Sequence, residues 1–300
     1  MRIAVPRTRS RVGRAALPPR LLAGIALVGI AWPLAWMGPA PYSEHTFFPL
    51  WLGYILTMDS MTLLRSGSSL LERSPRRFLF LFVGSLPLWW LFEFANESLN
   101  NWHYVMARHW SPAAYALQAS IAFSTVLPAI FVTAEFYRTL PAFRRPVHWI
   151  RIAPSGRGLT AISALGLAMF VASLVAPSIF FPFVWIGVFL LIDPINRLTG
   201  GRSIAAQVER RRWDTVLILF AAGITCGFFW ELWNIRSLPK WTYDVPGLDG
   251  PRLFEMPLLG YGGYLPFALE IYAFYHLLHT IAWRQPDHWL RFDRLPEPND

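Results

Sequence analysis

Eight long apolar runs separated by short connections constrain this chain more than any other feature. They occupy about 21–37, 47–64, 78–96, 113–135, 159–176, 179–195, 214–234 and 257–281. Each approaches the roughly 20 residues that span a hydrocarbon core of ~30 Å. In lipid, a single run satisfies its own backbone hydrogen bonds as a helix. Composition agrees, since 54% of the 300 residues are hydrophobic and 15% charged, against roughly a quarter charged in a soluble domain. Mean hydropathy is +0.36. The expected fold is an all-α polytopic membrane helix bundle.

The net charge of +9 suggests a polyanion partner until its placement is considered. Arginines crowd the segments 65–77, 138–158 and 197–213, while 38–46, 97–112, 177–178 and 235–256 hold few basic residues or balance them with acids. This alternation sets membrane orientation rather than nucleic-acid binding, and by the positive-inside rule it places the arginine-rich loops and both tails in the cytoplasm. The expected location is the inner (plasma) membrane. The basic stretch before the first run also fits a signal peptide. A retained helix is favoured, because the repeat described next needs it as partner of the fifth run. The single cysteine, Cys226, excludes an intrachain disulfide.

The chain repeats itself. Phe47-Phe48-Pro49, Gly53 and Asp59 recur as Phe180-Phe181-Pro182, Gly187 and Asp193; Arg76-Arg77-Phe78 recurs as Arg211-Arg212-Trp213. Glu93-x-x-Asn96 recurs as Glu231-x-x-Asn234, each followed by a W-x-Y triplet, Trp102/Tyr104 and Trp241/Tyr243. Glu135 and Glu270 occupy comparable places in the last run of each half. Self-similarity of this kind predicts tandem units. The expected division is a basic tail at 1–20, a first transmembrane repeat at 21–140, a linker at 141–158, a second repeat at 159–281 and a tail at 282–300. Four runs per unit give both units the same orientation, as in parallel-repeat membrane folds, with a shared site between them.

Candidate chemistry follows from the repeated acids. A spacing of three puts Glu93 with Asn96, and Glu231 with Asn234, on one helix face, and acids within a span turn inward and find partners. The two glutamates are candidate acids or bases, with the asparagines orienting them; interhelical hydrogen-bond glue is the competing reading. Trp102, Tyr104, Trp241 and Tyr243 belong at the membrane interface in any case, but they also suit a pocket wall able to stabilise a carbocation. The segment Phe254–Pro266 is rich in Gly and Pro and reads as a broken helix lining a cavity or as a loop entering a kinked one. It contributes Glu255 and Tyr261, with Glu270 further in. Asp59 and Asp193 sit where an acid reaches the interface or meets arginine. His276 and His279 lack the further ligands a metal site needs. No nucleotide or dinucleotide motif is present, so neither metal nor other cofactor is expected.

The run Trp230-Glu231, Trp241-x-Tyr243 and Pro257, followed by an apolar helix bearing an acid, resembles the membrane lycopene cyclase domain and related carotenoid hydratases. The resemblance implies protonation of an alkene by a carboxylate. Glu231 then stands for the first acid, Trp241 and Tyr243 for the aromatic element, and Glu255 lies near the family's paired acids; here one acid precedes the proline where that family has two after it. The expected activity is cofactor-independent cyclisation, isomerisation or hydration of a carotenoid or other isoprenoid lipid entering from the bilayer. A proton-coupled transporter using Glu93, Glu231 and Glu270, and a membrane scaffold or assembly factor, are the alternatives.

Overall fold

In the computed structural model of this chain, residues 17–248, 250–284 and 287–294 are described. The basic stretch 1–16 and the last residues of the C-terminal tail lie outside them. The helices are α1 (Pro19–Met37), α2 (Phe47–Ser66), α3 (Leu70–Arg73), α4 (Pro75–Leu99), α5 (Pro112–Phe123), α6 (Val126–Arg138), α7 (Gly156–Val175), α8 (Pro177–Phe180), α9 (Phe183–Leu198), α10 (Ile204–Glu209), α11 (Asp214–Asn234) and α12 (Tyr264–Trp283). Four short strands join them: β1 (Trp102–Val105), β2 (Lys240–Tyr243), β3 (Arg252–Leu253) and β4 (Met256–Pro257). Among the described residues, six helical stretches are long and apolar enough to cross a membrane: 19–37, 47–66, 75–99, 112–138, 156–175 and 214–234. The molecule is accordingly a multi-pass helical membrane protein.

Helix ends follow local chemistry. Pro occupies the first turn of α1, α4 and α5, where its missing N–H costs nothing. Ser74, Ser111 and Ser155 cap α4, α5 and α7 with their hydroxyls. Asn100, at φ 57°, closes α4 in the left-handed region that Asn tolerates. The fourth apolar run breaks at Ser124–Thr125 into α5 and α6. The eighth begins at Tyr264 rather than near 257, because 252–257 forms a β3–β4 hairpin and 258–263 a 3-10 turn. At 16 residues, α9 is shorter than a full span.

Lipid supplies little hydrophobic drive between helices, so close packing decides how they pair. Helices α1 and α2 cross where Gly24 and Gly53 meet, a Cβ on Gly53 falling 2.8 Å from the Gly24 carbonyl oxygen. Helices α7 and α9 cross likewise at Gly166 and Gly187. The central helices α4, α6, α11 and α12 bury Leu81, Leu88, Phe92, Phe131, Leu219 and Tyr272. Hydroxyls tie this centre together: Tyr54 to Thr133 at 2.8 Å and Tyr137 to Thr225 at 2.7 Å.

At the arginine-rich end, ion pairs join segments distant in sequence. Arg20 meets Asp59, Arg73 meets Glu135 and Arg138 meets Asp214. The stretch 287–294 packs beneath the bundle here. Its Arg291 and Phe292 amides donate to Glu135, and Arg138 donates to the Phe292 carbonyl. Asp59 and Asp193 each hold the start of a short helix. Asp59 accepts from Ser69 Oγ and the Leu71 amide, and Asp193 from the Ile204 and Ala205 amides.

Candidate functional site

At the opposite end, β1 and β2 pair antiparallel, with Trp102 opposite Tyr243 and Tyr104 opposite Trp241. The two W-x-Y triplets thus meet in one ribbon. Each strand is pinned to the helix before it by an asparagine. The Asn96 side chain accepts from the Asn101 and Trp102 amides and donates to the Trp102 carbonyl. Asn234 accepts from the Trp241 amide and donates to its carbonyl. The asparagines therefore orient the strands, not the glutamates three residues before them.

Each glutamate sits behind the ribbon's rings and collects donors on one oxygen. Glu93 Oε1 accepts from Tyr104 OH at 2.6 Å, Trp89 Nε1 at 2.9 Å and Trp102 Nε1 at 3.3 Å. Glu231 Oε1 accepts from Tyr243 OH and Tyr264 OH, each at 2.7 Å; Trp241 Nε1 donates to Tyr243 OH at 2.8 Å and lies 3.5 Å from Glu231 Oε1. The donors differ for a steric reason. The residue one turn before Glu93 is Trp89, which supplies its own indole. The residue one turn before Glu231 is Gly227, where any Cβ would collide with the Tyr264 ring. The missing side chain admits that ring, and its hydroxyl takes the third donor's place. Glu231 is wholly buried, and its Oε2 has no hydrogen-bond partner among the described residues. Burial, and next the adjacent carboxylate, push the Tyr104 and Tyr243 phenols well above the ordinary tyrosine range. Both remain protonated donors.

The ribbon forms one wall of a cavity of about 430 Å³, within the usual span for small-molecule sites of about 300–1,000 Å³. Nearly half of its lining residues are aromatic, among them Trp89, Trp102, Tyr104, Tyr115 and Phe123 from one half of the chain, and Trp185, Trp230, Trp241, Tyr243, Tyr264 and Phe267 from the other. Trp185 lies 6.1 Å from Trp102, and Phe47 lies 5.9 Å edge-on to Trp241. Each strand's tryptophan thus packs against a ring from the other half. Glu93 and Glu231 are not among the residues that line the cavity, whereas the phenols they hold, Tyr104, Tyr243 and Tyr264, are.

The other sequence candidates lie apart. Glu255 forms a 2.6 Å ion pair with Lys240 beside the ribbon and outside the lining. Tyr261 donates to the Leu253 carbonyl and packs against Tyr264. Glu270 is buried in α12 and has no hydrogen-bond partner among the described residues. His276 and His279 face Asp293 and Asp287 at 3.9 and 3.8 Å, and no cluster of three metal-ligating side chains occurs among the described residues.

Sequence reasoning passed over Tyr264, Asn101 and Glu44. Tyr264 stood in the noted glycine-rich segment, but its role depends on a space left by Gly227, on another helix. Glu44 is a lone acid in the connection before α2 and has no counterpart in the other half, so no pattern marked it. No family model, curated protein or solved structure matches this chain.

Proposed function

We propose that this protein is a membrane-embedded acid/base enzyme acting on an unsaturated lipid-soluble molecule of the isoprenoid class, held in the aromatic cavity. One observation carries the reading: hydroxyls on the cavity wall are hydrogen-bonded to two carboxylates behind it, the half-buried Glu93 and the wholly buried Glu231, one in each half. With the carboxyl behind it in its acid form, a phenol so placed passes its own proton to a ligand and takes the carboxyl proton in its place; an ionised carboxylate receives a proton by the reverse route. Protonation of a carbon–carbon double bond leaves a carbocation, which the faces of the surrounding rings stabilise. Loss of a proton from a neighbouring carbon to the other phenol–carboxylate pair completes an isomerisation. Attack by a second double bond before that loss closes a ring, and capture by water gives an alcohol. All three are redox-neutral and draw on no cofactor.

The same reading takes the chain as two parallel four-helix repeats crossing the inner membrane eight times, with both termini cytoplasmic. It is supported by the matched asparagine pins, the matched glutamate acceptors, the matched aspartate caps and the glycine crossings in both halves. The arginines of different loops meeting at one end support the orientation.

The test is product analysis in a host accumulating linear carotenoids, comparing wild type with Glu231→Gln and Tyr243→Phe. A new product lost in Glu231→Gln and reduced in Tyr243→Phe supports the proposal. An unchanged pigment profile with the protein verified in the membrane refutes it for carotenoids. Glu270, buried without a hydrogen-bond partner, favours a second reading, a proton-coupled transporter; that reading predicts substrate-driven proton uptake in vesicles, abolished by Glu270→Gln.

A further inference from the structure

The cavity wall is not uniformly apolar. Glu44 lies on it and is 2% exposed. Its Oε2 accepts from Arg108 Nε at 2.8 Å, while its Oε1 has no hydrogen-bond partner among the described residues. Trp110 lines the same cavity, with a buried Nε1 that also lacks a partner. Both side chains lie beside Arg108. The Arg108 guanidinium that pairs with Glu44 lies 6.0 Å from the Trp110 ring centre, and that ring lies 5.8 Å from His45. A free acceptor and a free donor therefore share one region of a wall whose amide side chains are Asn101 and Gln118 and which is otherwise aromatic and aliphatic.

Buried polar atoms without partners are rare because each costs about 1–3 kcal/mol. A hydrocarbon filling the cavity would leave both stranded, and a carboxylate head would face Glu44. An ammonium head would satisfy Glu44 but not the indole N–H, and Arg108 already balances the Glu44 charge. A hydroxyl satisfies both, donating to Glu44 Oε1 and accepting from Trp110 Nε1.

We propose that Glu44 and Trp110 form a head-group subsite for a hydroxyl, so that the ligand of the cavity is an unsaturated lipid alcohol rather than a bare hydrocarbon. The proposal rests on the cavity being the lipid site argued above. The two hydrogen bonds together favour the alcohol by roughly tenfold, each near the low end of the net range for such bonds.

The experiment measures equilibrium retention of farnesol, farnesene and farnesylamine by the full chain in nanodiscs, with empty discs subtracted. Farnesol and farnesene share a carbon skeleton, and farnesene has a conjugated diene where farnesol has its allylic hydroxyl. The expected result is retention of farnesol about tenfold tighter than farnesene. Trp110→Phe, which keeps a ring and removes the N–H, cuts that advantage severalfold and leaves farnesene unchanged. Glu44→Gln does the same if the variant folds; Trp110→Phe decides the matter if it does not. Equal retention of farnesol and farnesene overturns the subsite while leaving the lipid cavity standing, as does farnesylamine binding tighter than farnesol. Retention of none of the three overturns the cavity reading as well.

Discussion

Asn234→Ala tests whether the asparagine pins are what hold the aromatic ribbon against the helices. The side chain is almost fully buried and makes two hydrogen bonds to one residue, 2.7 Å to the Trp241 carbonyl and 2.9 Å from its amide. Alanine leaves both backbone groups without these partners. A stranded group costs about 1–3 kcal/mol, and partial exposure of Trp241 favours the lower half of that range, so the loss is about 2–4 kcal/mol. Asn96→Ala strands three groups, the Asn101 and Trp102 amides and the Trp102 carbonyl, although the Trp102 amide contact is long at 3.3 Å. It should cost at least as much. Asn234→Asp keeps the acceptor and removes the donor, and should fall between alanine and wild type. Reversible unfolding in mixed micelles, followed by tryptophan fluorescence, gives each difference. Ligand retention should fall in both alanine variants, since Trp241 and Tyr243, or Trp102 and Tyr104, lose their anchor. A change below about 0.5 kcal/mol in both, the usual scatter for surface substitutions, would refute the pinning argument.

Gly227→Ala forces the Tyr264 ring to move; overpacking of this kind costs about 1–3 kcal/mol, and Tyr264→Ala in the same chain should recover part of it in the same unfolding assay. Glu270→Met should stabilise the protein by about 1–2 kcal/mol by removing a buried acid without a hydrogen-bond partner, whereas Glu135→Met should destabilise it by freeing Arg73 and the Arg291 and Phe292 amides; a destabilised Glu270→Met would reveal a partner. Because burial raises the folded Tyr104 and Tyr243 phenols, the stabilisation they contribute is present below the ordinary tyrosine value of about 10 and is lost as pH rises from there towards the folded value. Phenolate absorbance in a stepwise alkaline titration should therefore lag in the wild type relative to Asn96→Ala.

Much of this architecture was legible in the sequence. Six of the eight apolar runs correspond to helical stretches long and apolar enough to span, because hydropathy over about 20 residues is a local property and lipid leaves the backbone one economical conformation. The two W-x-Y triplets do meet, in one ribbon that lines one cavity. The late start of α12 was marked by the Gly- and Pro-rich segment Phe254–Pro266. The break at Ser124–Thr125 was not legible. A local turn inside an apolar run changes composition hardly at all. The asparagines were misread for a similar reason: a spacing of three places Asn96 and Glu93 on one face, but the strand that follows offers stronger partners than the neighbouring carboxylate.

The sequence by itself determined that the chain is helical and membrane-crossing, that charge collects at alternate connections, and that one acid–amide–aromatic pattern occurs twice. These are matters of composition and short spacing. Only the tertiary structure decided which atoms face the cavity. Glu93 and Glu231 lie behind the wall because Tyr104, Tyr243 and Tyr264 reach across from other elements to their oxygens. Tyr264 does so only where Gly227 leaves room, and Glu44 with Trp110 reaches the wall from connections that carry no repeated pattern. Such meetings depend on how helices rotate against one another and on where a side chain is missing, and neither is written in the spacing of a single segment.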